Sequence, residues 1–400
     1  MPVLNPLTRR RFVAGAGALA ALPGAAFGQG DGFRVIRAQE AGYDGVSPGP
    51  VLFVRRGEEL KVRLVNELAA PTAIHWHGVR VPNAMDGTPL AQPPVAPGAS
   101  FDYRFTPPDA GTFWYHPPLR TAQNRVLSGF LIVQEKIPPR VDDDIPMLIE
   151  SVESKFTANG LPLLNIPVWP KSRLRLRLAN ATERFVTLRV DGHPMHVVGI
   201  DGQPAEPFLS RESRITLSPG NRADVLIDAI MKPSSEAAIL VRQDDSEAAL
   251  ARVIYGDGVV PPGATMPDGY AGEAVKPLEP NPLPAKMDFR GALRIDLPLV
   301  DSGAGTLAAK PLFLVRRGRT VVMAITNRGA LPQTVHIHGH HARLLDNLDD
   351  GWKPYWLDTI LAVPHQTTRV AFVADNPGKW LLQARAIGAD ASALPWFDVT

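Results

Sequence analysis

The amino-acid sequence predicts an all-β protein made of three β-sandwich domains. Its 400 residues include 40 prolines and 34 glycines, a proportion that a helical bundle does not tolerate. Short alternating apolar runs, such as residues 60–64 and 174–178, are bounded by glycine and proline and predict half-buried strands. A related pattern recurs three times along the chain, which predicts three domains of one architecture.

The first 28 residues have the features of an export signal. Residues 8–12 (TRRRF) precede a small, weakly apolar run, and residues 25–28 (AAFG) offer a small-residue cleavage site. A twin-arginine motif in this position predicts export by the Tat route, with a Sec signal or a membrane anchor as alternatives. No later apolar run is long enough to span a bilayer. We therefore expect a soluble, periplasmic or secreted protein without a stable membrane anchor.

Composition excludes several classes of function. Without Arg9, Arg10 and Arg11 of the leader, 39 basic residues face 40 acidic residues, so we expect no nucleic-acid partner. The sequence contains no cysteine, which excludes disulfides, thiol nucleophiles, thiolate zinc sites and blue-copper centres. Protein partners cannot be predicted from these features.

The repeat is clearest between residues 53–78 and 313–339. In both copies a glycine lies 18 residues, and an asparagine nine residues, before the first histidine of a His-X-His pair. A fainter copy runs through residues 174–193 and has Arg189-Val190-Asp191 where the others have the histidines. The repeat predicts domains at residues 29–137, 138–282 and 283–400.

The histidine pairs predict a metal site. Side chains two residues apart on a strand point to one face, so each pair presents two imidazoles side by side. Imidazole is a ligand for copper, zinc, iron and nickel. The matching positions favour metal binding over separate hydrogen-bonded core histidines. The predicted ligands are His75, His77, His116, His336 and His338.

Three further histidines have weaker assignments. His340 and His341 extend the second pair, and His340 either faces the same way or takes a supporting or solvent-exposed position. His365 is isolated, and we interpret it as a structural histidine.

These segments resemble the copper motifs of the multicopper oxidases, the laccase-like family. The similar segments are residues 74–78 (IHWHG), 83–87 (NAMDG), 111–116 (GTFWYH) and 336–340 (HIHGH), and residues 193–202 resemble the family's second domain. The resemblance covers the mature chain and implies three cupredoxin-like Greek-key β-sandwich domains, with copper between the first and third. It also implies a blue type 1 copper that takes electrons from substrate and a trinuclear type 2 and type 3 cluster that reduces dioxygen.

By this resemblance only part of the ligand set is retained. His75 and His336 match the type 2 ligands, and three of the six type 3 ligands are matched by His77, His116 and His338. The other type 3 positions carry Pro118, Gln383 and Arg385, and the type 1 positions carry Gln333, Ala384, Ala389 and, at the axial position, Leu394. We therefore expect no blue copper, and one copper ion, or at most two or three, in the remaining cluster.

The sequence thus predicts an exported copper-binding protein that handles copper or acts as a copper-dependent oxidoreductase without laccase-type activity. Asp86 matches an acidic residue that assists proton delivery in the family, although an Asp-Gly turn explains it equally well. The alternative function is a non-catalytic envelope scaffold, similar to the Tat-exported cell-division relative of the family. An active laccase completed by another subunit is disfavoured, because several ligands would have to come from outside the chain.

Overall fold

The computed structural model describes residues 32–121, 124–258, 268–301, 304–345, 352–389 and 392–400. Within these ranges the chain forms strands, turns and two short 3-10 helices, Asn83–Met85 and Arg211–Ser213. The predicted all-β class is confirmed. The predicted export signal at residues 1–28 lies outside the described residues. No helix in the described ranges has the length and apolar character needed to cross a membrane.

The first sandwich has two four-stranded sheets, ordered β2-β1-β4-β6 and β3-β8-β7-β5. Its strands are β1 (Arg34–Gln39), β2 (Gly42–Tyr43), β3 (Leu52–Arg55), β4 (Leu60–Asn66), β5 (His75–His77), β6 (Ser100–Phe105), β7 (Gly111–His116) and β8 (Gly129–Gln134). The predicted strand at residues 60–64 is β4, whose side chains alternate between buried and partly buried as expected.

The middle sandwich has a six-stranded sheet, β10-β9-β12-β17-β14-β15, and a five-stranded sheet, β11-β19-β18-β13-β16. Its strands are β9 (Asp143–Val152), β10 (Lys155–Ala158), β11 (Leu164–Val168), β12 (Arg173–Asn180), β13 (Val186–Val190), β14 (His196–Ile200), β15 (Gln203–Leu209), β16 (Arg214–Leu217), β17 (Arg222–Asp228), β18 (Glu236–Gln243) and β19 (Ser246–Tyr255).

The third sandwich has a five-stranded sheet, β20-β23-β28-β25-β26, and a seven-stranded sheet that contains β21-β30-β29-β24-β27 together with β22 and β31. Its strands are β20 (Leu293–Leu299), β21 (Ala304–Leu307), β22 (Phe313–Val315), β23 (Thr320–Asn327), β24 (Gln333–Ile337), β25 (Ala342–Leu345), β26 (Trp352–Leu357), β27 (Thr359–Ala362), β28 (Thr367–Val373), β29 (Gly378–Ala386), β30 (Ser392–Leu394) and β31 (Trp396–Val399). The strands group within the three predicted ranges, while the domain boundaries themselves stay a prediction.

One asparagine in each sandwich explains the spacing of the repeat. Asn66, Asn180 and Asn327 end β4, β12 and β23 and are fully buried. Each side-chain amide donates to the carbonyl four residues later and to a backbone carbonyl of a segment distant in the sequence. Each side-chain oxygen accepts the backbone N–H two residues later. The asparagine therefore fixes the corner that follows the strand, because one buried side chain satisfies three backbone groups around it.

The prediction of a half-buried strand at residues 174–178 is wrong. All eight residues of β12 are buried, including Arg173, Arg175 and Arg177. The arginine face is covered because the first sandwich packs on it: Arg177 donates to Thr112 of β7, and Arg175 pairs with Asp224 and Glu135. Buried guanidinium groups are tolerated when carboxylates pair with them, so polar alternation did not mark an exposed face here.

The apolar cores show how the sandwiches are arranged. The middle sandwich has its own core cluster, whereas the cores of the first and third sandwiches form one continuous cluster. Trp76 of β5 and Val335 of β24 both belong to this shared cluster. The two strands that carry the His-X-His pairs therefore border the same junction.

Candidate metal centre

β5 and β7 of the first sandwich supply three buried histidines to one place. His75 and His77 lie on one face of β5, while Trp76 between them packs into the apolar core. In the antiparallel register of β5 and β7, His116 lies opposite His75. Potential ligand atoms of His75, His77 and His116 lie within 4.8 Å of one another.

β24 of the third sandwich brings two more imidazoles to the same place. His336 lies on β24 and His338 follows the end of this strand. His336 stacks on His77 with ring centroids 3.7 Å apart, and ligand atoms of His75, His336 and His338 also lie within 4.8 Å of one another. The structure thus brings all five predicted histidines into one buried cluster between two sandwiches.

A close contact between the first and third sandwiches joins His75 and His336. Their Nε2 atoms lie 3.0 Å apart. The Nδ1 atom of His75 lies 3.1 Å from the Asp86 carbonyl oxygen, and Nδ1 of His336 lies 3.1 Å from the Asp358 carbonyl oxygen. A carbonyl oxygen only accepts hydrogen bonds, so in both rings the N–H is at Nδ1. The two facing Nε2 atoms therefore present lone pairs to each other.

A second pair of facing nitrogens lies within the first sandwich. His116 donates from Nδ1 to the Pro117 carbonyl oxygen at 2.7 Å, which leaves its Nε2 as a lone pair. This Nε2 lies 3.1 Å from Nδ1 of His77. The Nε2 atom of His77 is 2.9 Å from the hydroxyl oxygen of Thr359.

The hydroxyl of Thr359 decides the protonation of His77. Thr359 donates its proton to the Asp358 carboxylate at 2.7 Å, so its oxygen must accept from Nε2 of His77. The same oxygen lies 3.3 Å from Nδ1 of His336. Nδ1 of His77 is therefore a lone pair, like Nε2 of His116, and one threonine orients rings from both facing pairs.

Asp86 joins the two sandwiches at the other side of the cluster. Its carboxylate accepts from Nδ1 of His75 at 3.1 Å and from Nδ1 of His338 at 3.1 Å. It also accepts the hydroxyl of Thr88 at 3.0 Å. Nε2 of His338 is buried and makes no hydrogen bond within the described ranges. A fifth imidazole lone pair is thus available in the cluster.

The middle sandwich supports the cluster through a buried ion pair. Arg222 of β17 donates to both carboxylate oxygens of Asp358, at 2.8 and 2.5 Å. Gly78, which follows His77, has a φ of 82°, and a β-carbon there would lie 2.2 Å from Arg222. Glycine is required at this position because the backbone is left-handed and the guanidinium occupies the space of a side chain.

Comparison with known proteins identifies the family. Sequence models described as multicopper oxidase match residues 34–137, 114–254 and 280–385. The crystal structure of Lac15 from a marine microbial metagenome is similar with a TM-score of 0.76 and 30% sequence identity, over 91% of this chain and 98% of that chain. The chain belongs to the multicopper oxidase family.

Other members of the multicopper oxidase family match over similar lengths. A crystal structure of a multicopper oxidase from Pseudomonas thermotolerans has a TM-score of 0.76 and 28% identity, over 90% of this chain and 93% of that chain. The multicopper oxidase MmcO of Mycobacterium tuberculosis is 26% identical over 409 residues, which cover 85% of this chain and 79% of the relative. These matches confirm the predicted cupredoxin-like fold.

Membership in the multicopper oxidase family implies a copper cofactor, and the donor atoms fit this metal. Copper accepts neutral imidazole nitrogens as ligands. Five such nitrogens lie in the cluster, and four of them face each other in pairs at 3.0 and 3.1 Å. Facing lone pairs repel each other unless a cation lies between or beside them, so the arrangement is suited to a bound cation.

Burial keeps four of these imidazoles uncharged. It lowers the pKa of His336 to about 3, although Asp358 opposes the effect. Burial also lowers the pKa values of His77, His116 and His338. For Asp86, burial would raise the pKa, but His338 and His75 outweigh it and hold this pKa well below its ordinary value. The site therefore combines neutral imidazoles with an ionised carboxylate.

The positions that the sequence resemblance assigns to the missing type 3 ligands lie beside this cluster. Gln383 of β29 pairs with His336 in the sheet register, and its side-chain amide donates to the Pro118 carbonyl oxygen at 3.3 Å. Gln383 and Arg385 border the same cleft as His77 and His116. The positions that the resemblance assigns to the other type 3 ligands therefore border the cluster, and they carry an amide, a proline and a guanidinium.

The type 1 positions hold no imidazole or thiolate. Gln333 is buried and donates to the Val300 carbonyl oxygen at 3.1 Å. Ala384 belongs to the apolar core, and Leu394 packs with Leu381 and Trp396. Apolar contacts and an amide hydrogen bond thus occupy the positions matched to the blue-copper ligands.

The three remaining candidate histidines lie outside the cluster. His340 donates from Nδ1 to the His338 carbonyl oxygen, and its ring packs among aromatic rings of the third sandwich. His341 lies against Asp358 and Gln203, and His365 is exposed on a turn. The alternative that His340 faces the metal cluster is therefore wrong.

Sequence reasoning missed the residues that orient the imidazoles. Asp358 and Thr359 lie more than 20 residues after His336, the first histidine of the second pair, and have no counterpart in the repeat. Arg222 belongs to the middle sandwich. Their only sequence signal is Gly78, since a glycine directly after a histidine pair indicates that another group approaches the backbone there.

Proposed function

We propose that this multicopper oxidase relative is an exported protein that binds copper between its first and third sandwiches. The observation that carries the proposal is the 3.0 Å separation of the Nε2 atoms of His75 and His336, each with its own N–H committed to a backbone carbonyl. Both lone pairs are available to one ion, and His338 offers a third.

We expect one copper ion per chain, with two or three as the upper limit. The second group of ligands would be Nδ1 of His77 and Nε2 of His116, which face each other at 3.1 Å. A full type 3 pair is not expected, because Pro118, Gln383 and Arg385 stand at the positions of the other ligands. Binuclear sites need more nitrogen donors than these positions supply.

Copper handling, as sequestration or delivery, is the function that this ligand set supports best, and a copper-dependent oxidoreductase is the second. Copper held by imidazoles supplies one-electron redox chemistry. A chain without cysteine has no thiolate for a blue site, so electron uptake by the family's route is absent. We therefore expect no appreciable turnover of phenols or one-electron dyes.

Asp86 is the residue we propose for proton handling in the cluster. Its ionised carboxylate accepts N–H groups from His75 and His338 and is 1% exposed. Held between two candidate ligands, this carboxylate fixes the ring protons of both histidines at Nδ1.

Metal content and the visible spectrum test the proposal together. Mature protein loaded with copper(II) and then desalted should retain about one ion per chain and show no intense absorption band in red light, because the band of a blue-copper site requires a thiolate ligand. Protein that retains no copper would contradict the proposal and favour the non-catalytic scaffold. A strong blue colour would contradict the loss of the type 1 site.

A further inference from the structure

A cleft opens beside the histidine cluster and carries two guanidinium groups in its wall. It is bordered by His77, His116, Trp114, Arg120, Gln383 and Arg385. Its empty space is about 450 Å³, including the part that is open to solvent. The cavity volume proper is about 50 Å³, which is room for a small group of a few heavy atoms, and the wall offers charged donors at one side.

Arg120 makes no direct salt bridge in the described part of the chain, although the carboxylates of Glu183 and Glu150 lie in its neighbourhood. Its Nη1 donates to the Ala181 carbonyl oxygen at 2.6 Å and its Nη2 to the Arg125 carbonyl oxygen at 3.0 Å. Both acceptors are uncharged. Its Nε is buried and makes no hydrogen bond among the described residues. A buried donor without a partner is costly, so this group is suited to a ligand.

Arg385 adds a second guanidinium to the same cleft. Its partner is Glu183, whose side chain is 38% exposed. Burial, followed by the charge of Arg385, lowers the pKa of Arg120 to about 10, so Arg120 stays protonated at neutral pH. The Arg120 guanidinium also interacts with the charge of Arg125 and with the carboxylate of Glu150. Three positive charges therefore share this place with two carboxylates, and positive charge is in excess.

We propose that the cleft binds a small oxoanion, a carboxylate or phosphate group, between Arg120 and Arg385. A guanidinium presents planar N–H donors that match the oxygens of such anions and form strong, charge-assisted hydrogen bonds. The anion supplies a charged acceptor to Arg120, whose two Nη acceptors within the described residues are uncharged backbone carbonyls. This site does not require copper and goes beyond the proposed copper function.

The Trp114 ring helps to define the site. The Arg120 guanidinium lies 5.2 Å from the centroid of the Trp114 ring. The ring centroids of Trp114 and His116 are 4.0 Å apart. Contact with an aromatic face fixes the plane of a guanidinium. Arg120 is therefore held in position without the anion. It lines the same cleft as the histidines of the metal cluster.

Calorimetric titration of metal-free mature protein tests this proposal. Malonate and inorganic phosphate are the two probes, and the pair distinguishes a carboxylate site from a phosphate site. We expect saturable one-to-one binding of at least one probe that weakens with added sodium chloride. Arg120→Gln and Arg385→Gln should each weaken binding about tenfold or more, because each removes charge-assisted hydrogen bonds.

Arg184→Gln is the matched control. Arg184 also donates to a backbone carbonyl and lies over an aromatic ring, Phe156, at 4.6 Å, but it does not border the cleft. Its variant should bind the probe as the wild type does. If neither probe binds, or if Arg385→Gln binds as tightly as Arg184→Gln, the proposal is overturned. Since no copper is present, these outcomes are independent of the copper proposal.

Discussion

The Nε2 atoms of His75 and His336 lie 3.0 Å apart, although the two residues are 261 positions apart in the sequence and belong to different β-sandwiches. Each ring is fixed from behind by a carbonyl oxygen, of Asp86 for His75 and of Asp358 for His336. The contact is thus built by the backbone of both sandwiches, and any cation bound there joins them.

Thr359→Val should weaken copper binding while the fold is kept. The hydroxyl of Thr359 accepts the N–H of His77 at 2.9 Å and lies 3.3 Å from Nδ1 of His336. Hydrogen bonds behind metal ligands contribute roughly 10- to 100-fold to metal affinity, so we expect a loss in this range. A competitive titration against a copper chelator measures it.

Thr326→Val is the control for this change. Thr326 is partly buried in the same sandwich and shares a hydrogen bond of 3.0 Å with Thr367, outside the cluster. This variant should keep the copper affinity of the wild type. Equal affinity of Thr359→Val and Thr326→Val would show that Thr359 does not orient the ligands.

Asp143→Asn should stabilise the protein at neutral pH but much less in acid. Burial and the neighbouring charge of Asp142 raise the pKa of Asp143 to about 6. The folded state therefore prefers the protonated acid, and stability is lost as the pH rises through this pKa. An amide avoids the cost, which is about 1–3 kcal/mol above pH 7. Urea unfolding at pH 7.5 and pH 4.5 measures the difference, which should shrink at the lower pH.

The exposed Asp245→Asn is the matched control for Asp143 and should change stability little at either pH. If Asp143→Asn gave the same gain at both pH values, or no gain at pH 7.5, the buried acid would not be a source of pH dependence.

Replacement of Arg9, Arg10 and Arg11 by lysine should block export. The prediction depends on the arginine pair before a weak apolar run, which is the Tat signal. Precursor should accumulate in the cytoplasm, as measured by fractionation and immunoblotting. Normal amounts of mature protein outside the cytoplasm would contradict the Tat assignment, and a mutation of a surface arginine such as Arg211 controls for charge alone.

The sequence was sufficient to predict features that repeat within the chain. Asn66 and Asn327 occupy the same structural position because each pins the corner that leads to a histidine pair. The residues that orient the imidazoles were not predictable in this way. Thr359 and Arg222 reach the cluster through contacts between sandwiches, and such contacts leave no local pattern in the sequence.

Contacts between sandwiches also explain why the prediction of one solvent-exposed face for β12 was wrong. Alternation of arginine and leucine is typical of a strand with one solvated side. In the folded chain Arg175 and Arg177 are covered by the first sandwich and paired with carboxylates from neighbouring strands. The alternation of residue types predicts which face of a strand is polar. Whether that face contacts solvent or another domain is decided by the tertiary structure.

The most direct test of copper binding between the sandwiches is the change in melting temperature on addition of copper. A metal that binds only the folded state raises stability by mass action. Copper should raise the melting temperature of the wild type and of His193→Ala, whose histidine is equally buried but bonded to Asp191 and Tyr255 in the middle sandwich. His75→Ala and His336→Ala should each lose most of this increase. The account is contradicted if copper does not raise the wild-type melting temperature, or if His75→Ala and His336→Ala gain as much from copper as His193→Ala does.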